Sequence, residues 1–383
     1  MGNILSSRFG PRRIVLGGNE SIWALGISPS SKFIASGGND GVRLWDLDSY
    51  EEVDVPEEWG LCGPVSSLVW LEGESGETLV YGTALGFLVC WRQDNTHFKE
   101  LSALKVASGT EITCLTGDTA TGRVAVGIRD WTVQVYALNA TGNLVQVFSV
   151  ELVPNLVPTS IFFEDNVTKD VLLFSAYGGP RMTLAGNTGE VLSSSTPRIV
   201  MGRVGVSLNR RQYVLDNGIN GFDIRDLRTD AHVLRLPTGR VTVSCPKQIF
   251  FTSDDSLAVG GSDHGLLYIF DRMSGVILNR FHHSKGGLVQ TITVKDTGYD
   301  MILACAGSQD YGNGNISLWR YKSPTNRRWF ISSMKAAQYW IVTTFRAVLF
   351  AVYVVQNVVY WTPLFSKWLL VAFPVSTIPR HSR

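Results

Sequence analysis

Ser30-Ser-Lys-Phe-Ile-Ala-Ser-Gly-Gly-Asn-Asp-Gly-Val-Arg-Leu-Trp-Asp46 runs as an alternating strand, a tight turn at Asp40-Gly41, and a second strand closing on Trp45-Asp46. An Asp-Gly pair between two such runs is a strong short-range hairpin signal, because Gly accepts the positive φ the turn requires. The pattern returns as Glu77-Thr-Leu-Val-Tyr-Gly-Thr-Ala-Leu-Gly-Phe-Leu-Val-Cys-Trp91 and as Gly122-Arg-Val-Ala-Val-Gly-Ile-Arg-Asp-Trp-Thr-Val-Gln-Val-Tyr136. Two further copies end at Phe270 and Trp319. The gap between Tyr136 and Phe270 has room for two more units, and weaker hairpin patterns there end at Leu184 and Arg225. The seven end positions are then 46, 45, 48, 41, 45 and 49 residues apart. This period is that of a four-stranded unit which cannot bury its faces alone and must stack on its neighbours. The expected fold is all-β, a seven-bladed β-propeller over residues 11–320.

These blades resemble the WD-repeat β-propeller family, whose blades are braced by a tetrad of His, Ser/Thr, Asp and Trp. The first unit keeps Ser36, Asp40 and Trp45 but has Gly18-Asn19 where the family has Gly-His. His283 is the best match to the family histidine, and elsewhere the tetrad is mostly missing. Trp91, Tyr136, Phe270 and Trp319 take the tryptophan place in their units. The resemblance also implies that an N-terminal strand closes the ring on the last blade, a part that Arg12-Arg-Ile-Val-Leu16 is placed to play. Asn209-Arg210-Arg211-Gln212 is reminiscent of the paired arginines with which one propeller class grips phosphoinositides. The flanking residues of that class are absent, and a solvated turn is the alternative.

The formal net charge of +1 conceals an uneven distribution. Residues 321–383 hold eight basic residues and no acid, which leaves 26 basic against 33 acidic residues before them, a balance of −7. A body of that sign argues against a nucleic-acid partner. The hydrophobic content of 45% excludes a disordered chain. The five cysteines are widely spaced and form no Cys-x-x-Cys pair, so they suggest neither a zinc site nor a disulfide framework. The six histidines have no metal-ligand spacing. Gly37-Gly38-Asn39-Asp40-Gly41 lies inside a hairpin rather than between a strand and a helix, so its glycines do not form a phosphate cradle. The sequence therefore suggests no catalytic residue, cofactor or metal. Trp23 and Trp70 are expected in the inner-strand core, whereas Trp131, in the Arg129-Asp130-Trp131-Thr132 turn, is a candidate partner contact.

Both ends suggest a membrane. Residues 1–10 read as a flexible arm, and Met1-Gly2-Asn3-Ile4-Leu5-Ser6 matches the pattern for myristoylation of Gly2. Residues 347–366 are twenty uncharged residues, flanked by Arg346 and Lys367 with Trp361 and Trp368 at aromatic-belt positions. Three readings of this segment, expected to be helical, stay open: a transmembrane helix, an interfacial helix, or a docking segment packed on protein. The basic residues upstream would keep the propeller on the cytosolic side of an intracellular or plasma membrane, with a cytoplasmic location as the alternative. The expected function is a non-catalytic protein-interaction scaffold. Its alternatives are a soluble subunit of a larger complex, and an enzyme or small-ligand receptor that uses the propeller channel.

Overall fold

Seven four-stranded antiparallel sheets contain every strand among the described residues, and together they form a seven-bladed β-propeller. The computed structural model describes residues 13–16, 20–56, 62–73, 76–94, 97–176, 178–196, 202–243, 245–284, 286–296, 300–307 and 314–322. The chain divides into two units, Met1–Lys322 and Ser323–Arg383. The second unit lies outside the described residues, as do Gly2, the segment 347–366 and its flanks Arg346, Trp361, Lys367 and Trp368. Among the described residues no helix is long and apolar enough to cross a membrane.

Each blade runs from an inner strand at the central channel to an outer strand at the rim. Blade 1 comprises Ile22–Ile27, Phe33–Gly38, Gly41–Asp46 and Glu52–Val53. Blade 2 comprises Val65–Gly73, Gly76–Thr83, Phe87–Asp94 and His97–Lys105. Blade 3 is Ile112–Asp118, Arg123–Ile128, Thr132–Leu138 and Leu144–Glu151; blade 4 is Pro158–Phe163, Val171–Ser175, Arg181–Leu184 and Val191–Ser195. Blade 5 follows as Val204–Val206, Gln212–Asp216, Gly221–Asp226 and His232–Pro237, and blade 6 as Ile249–Phe251, Leu257–Gly260, Leu266–Asp271 and Ile277–His282. Blade 7 has only three strands from its own stretch of chain, Thr291–Asp296, Asp300–Ala306 and Asn315–Lys322. Its outer strand is Arg13–Leu16, which pairs antiparallel with the third, Arg13 opposite Leu318 and Leu16 opposite Asn315.

The burial pattern follows from the stacking. A second strand is covered on both faces by neighbouring blades, so apolar or small residues fill it continuously rather than alternately. Phe33–Gly38 and Val171–Ser175 are buried at every position. Outer strands see solvent, and Val191–Ser195 is exposed along most of its length. Hydrophobic clusters accordingly lie between blades: Ile34 and Trp45 of blade 1 pack with Ile302 and Leu318 of blade 7. Phe33 and Leu44 pack with Trp70 and Trp91 of blade 2, and the same arrangement recurs at every joint.

One register feature marks the repeat. Pairing between third and outer strands slips immediately before Trp91, Tyr136, Leu184, Arg225 and Phe270. The extra residue lies on the outer strand each time, at Leu101, Val147, Leu192, Val233 and Leu278, so the bulge marks the same third-strand position in five blades. Leu184 and Arg225, assigned to the repeat from spacing, therefore hold the same structural position as the aromatic ends. In blade 5 the position is occupied by an arginine, and the cluster at the joint with blade 4 is small: Leu172, Phe174, Val204, Tyr213 and Leu215.

Gly261 is the tightest approach between blades 6 and 7, because a Cβ there would lie 1.9 Å from the carbonyl oxygen of Val289. Both sides of that contact are backbone, held by the Ser262–Val289 bridge. Gly261→Ala is expected to destabilise the propeller by about 1–3 kcal/mol, the range for overpacking. Urea unfolding monitored by tryptophan fluorescence measures it, and an unchanged midpoint would show that the joint yields freely.

Candidate functional site

The channel begins where the inner strands begin, and four of those strands start with an irregularity. The register slips between Ile22 and Ala24, Val65 and Ser67, Ile112 and Cys114, and Pro158 and Ser160. Trp23, Ser66, Thr113 and Thr159 are thus the extra residues of four bulges ringing one end of the channel. Such bulges re-aim side chains near sites and ends of sheets.

Short polar side chains at this level fasten each blade to the next. Ser66 Oγ donates to the Ile112 carbonyl at 2.7 Å, and Thr113 Oγ1 donates to the Pro158 carbonyl at 2.6 Å. The Val204 amide donates to Ser160 Oγ at 3.0 Å, and the Lys247 amide to Asp216 Oδ2 at 2.8 Å. The Ile292 amide donates to Gln248 Oε1 at 2.8 Å, and Thr291 Oγ1 to the Ile22 carbonyl at 3.3 Å. Trp70 Nε1 donates to the Gly26 carbonyl at 3.1 Å and so joins blade 2 to blade 1. Every joint therefore carries a polar contact beside its hydrophobic cluster. The Lys247 and Asp216 side chains also form a fully buried ion pair at 3.3 Å. Removing one member of such a pair strands a charge in the interior.

Within this ring lies a mouth cavity of about 380 Å³, lined by Trp23, Ser66, Ala84, Glu111, Arg203 and Gln248 among others. Trp23, Ser66, Arg203 and Gln248 also line the narrower space of about 220 Å³ farther along the channel. Arg203 reaches from blade 5 across blade 4 to blade 3. Its Nη1 donates to the Thr159 carbonyl at 2.8 Å and the Thr113 carbonyl at 3.2 Å. The Glu111 carboxylate is occupied by Arg129, whose Nε lies at 2.8 Å. Trp70 is buried and Trp23 half-buried at the mouth, so of the two tryptophans expected in the core only Trp70 is there.

The loops that open on this end are held by a second device. Asp263 Oδ2 accepts hydrogen bonds from the Thr242 hydroxyl at 2.8 Å, the Val243 amide at 2.9 Å and the Thr242 amide. Burial opposes ionisation of Asp263, but those three donors outweigh it and hold the carboxyl down at about 2. The loop between blades 5 and 6 is thereby tied to the hairpin turn of blade 6.

The residues singled out in the sequence do not form one constellation. Ser36 and Trp45 are buried in blade 1, while Asp40 pairs with Arg43 at 2.9 Å. No hydrogen bond links Ser36, Asp40 and Trp45 among the described residues. His283 Nδ1 lies 2.9 Å from Ser317 Oγ, which stands on the third strand of blade 7 opposite Cys305. Trp91 is buried edge-to-face against Tyr81, Tyr136 OH donates to Gln134 Oε1 at 2.6 Å, Phe270 stacks on Tyr268, and Trp319 packs on Phe281. Trp131 takes a positive φ of 70° at its turn and packs half-buried against the cluster between blades 3 and 4. Arg210 donates Nη2 to the Phe163 carbonyl at 2.6 Å, which turns one of the paired arginines to joining blades. Burial raises the Cys90 thiol to about 12 and that of Cys114 to about 11, so both are protonated at neutral pH. Among the described residues no three His, Cys, Asp or Glu side chains are grouped to hold a metal ion.

The mouth residues Arg203 and Gln248 were not anticipated from the sequence. A signal for the polar joints was present in the short polar residues that open successive inner strands, Ser66, Thr113 and Thr159, spaced 47 and 46 residues apart. No protein-family model matches the chain, and no curated protein matches it.

Because Asp263 titrates below the ordinary carboxylate value of 3.8, the stability it contributes is present above that value and disappears as pH falls through about 2. Asp263→Ala is expected to cost about 2 kcal/mol at pH 7 and nothing near the acid limit. Amide hydrogen exchange at Thr242 and Val243 should speed up in the variant at neutral pH. Unchanged exchange there would contradict the tie.

Proposed function

We propose that the chain is a non-catalytic interaction scaffold of the WD-repeat type, with the propeller presented on the cytosolic side of a membrane by its two ends. The observation that carries the docking reading is the surface around the channel mouth. Leu85 in the second-to-third strand turn of blade 2, Ile219 in that of blade 5, and Val153 and Val243 in the loops between blades all belong to this end. Their exposures are 43%, 72%, 67% and 43%. Large apolar side chains left exposed on loops of a rigid frame suit a protein partner. The frame is rigid because each joint is closed by a hydrophobic cluster and a polar contact together.

The WD-repeat assignment draws on the Asp40-Gly41 hairpin, the recurring third-strand aromatics and the His283–Ser317 pair. Partners would dock by shape and by a few anchor side chains rather than through chemistry. The membrane part draws on the sequence alone: a lipidation pattern at Gly2, and an acid-free tail with eight basic residues and an uncharged segment at 347–366. One acyl chain holds a membrane only marginally, so the tail would supply the second anchor.

The two parts have separate tests. Leu85→Asp with Ile219→Asp is expected to reduce partner recovery in proximity labelling at least tenfold. Leu208→Asp with Met273→Asp, exposed on the opposite face, should leave it unchanged; equal loss from both pairs would contradict docking at the mouth. For the anchor, Gly2→Ala and deletion of residues 329–383 should each lower membrane retention. Complete release of the intact chain by alkaline carbonate would contradict a spanning tail.

A further inference from the structure

We propose that the channel mouth is a receptor for the terminal carboxylate of a peptide chain, with Arg203 as its principal ligand-binding group. The inference rests on the docking reading above and names the chemistry that the mouth recognises.

Only Nη1 of Arg203 is spent, on the two carbonyls of Thr113 and Thr159. Among the described residues no carboxylate lies within ion-pair distance of its guanidinium, and the carboxylate of Glu111 in the same cavity is already bound by Arg129. The mouth thus holds one guanidinium whose charge no neighbouring side chain offsets. The remaining N–H groups are fixed in direction, since the two carbonyl contacts anchor the plane of the fork. A planar, anchored fork matches a carboxylate better than a mobile ammonium would.

Gln248 spends its Oε1 on the Ile292 amide, which leaves its NH₂ group without a partner among the described residues. Trp23 sets an aromatic wall in the same cavity. Donors on one side and an apolar wall on the other form a mixed lining, as in sites that orient a ligand with few polar groups. About 380 Å³ is room for the last two or three residues of a chain, at the lower end of ligand-cavity volumes. Ala84, next to the exposed Leu85, lines the cavity, so a chain entering by its end would leave its preceding residues against the apolar surface of the docking face.

Arg203 also joins three blades, so removing it would confound binding with stability. Ala84 lines the mouth, and its amide donates to the Pro64 carbonyl; none of the polar contacts between blades uses it. Ala84→Glu introduces a carboxylate into the cavity that Arg203 lines without removing a joint, and Ala84→Gln is its uncharged counterpart. The probe is an immobilised library of short peptides with free C-terminal carboxylates, screened beside the same library amidated and beside free glutarate. The full-length chain is expected to retain free-acid peptides at least tenfold over their amides, Ala84→Gln to keep that preference, and Ala84→Glu to abolish it with an unchanged Tm. Equal retention of acids and amides, or a preference that survives Ala84→Glu, overturns the proposal. So does binding of glutarate, read as a rise in Tm, with no retention of any peptide, which would make the site one for a small acid. If Leu85→Asp with Ile219→Asp abolishes partner recovery while Ala84→Glu does not, the carboxylate inference fails and the docking reading stands.

Discussion

The pairing of Arg13–Leu16 with Asn315–Leu318 is the contact on which the rest of the propeller depends. Each blade has two faces, and both are apolar along the second and third strands. A blade at the end of an open row would leave one of those faces in water, together with an unpaired strand edge. Borrowing the last outer strand from the beginning of the chain turns the row into a ring, so that every blade has two neighbours. The local consequence appears in the cluster that joins Ile34 and Trp45 to Ile302 and Leu318, where the two ends of the repeat array meet.

Closure also governs the channel. In a ring, the inner strands converge, and side chains at their starts must either pack, bond to a neighbour or face the opening. Ser66 and Thr113 bond to the next blade, Trp70 bonds to the previous one, and Trp23 turns toward the opening because a bulge displaces it. Three of the seven joints are held by hydroxyl-to-carbonyl contacts, from Ser66, Thr113 and Thr291. Arg203 differs from the other joint residues in being charged and longer, so it spans two joints and still presents donors to the cavity.

The blade count was legible because the strongest physical demand on each repeat falls on one position. The residue near the end of the third strand has to wedge between blades, so it is large and recurs with the blade period at Trp45, Trp91, Tyr136, Phe270 and Trp319. Leu184 and Arg225 are weaker signals at the same place, recoverable from spacing because a blade has a nearly fixed length. The closing strand was legible only through resemblance, since four residues such as Arg13–Leu16 specify no partner by themselves. The site was less legible than the fold. Arg203 follows a stretch with no pattern of its own, and its role depends on two carbonyls contributed by residues 44 and 90 positions earlier. Trp23 looks like a core tryptophan in an alternating strand, and only the bulge beside it moves it to the mouth.

Native-state amide hydrogen exchange tests the central dependence most directly, comparing residues 13–16 and 315–318 with the second strands of the other blades. Because closure holds every joint, those amides are expected to exchange only through the opening that unfolds the whole propeller, with the same free energy as Ile34 and Leu173. Rapid exchange at 13–16 and 315–318 while Ile34 and Leu173 stay protected would contradict the account. The ring would then stand without its closing strand.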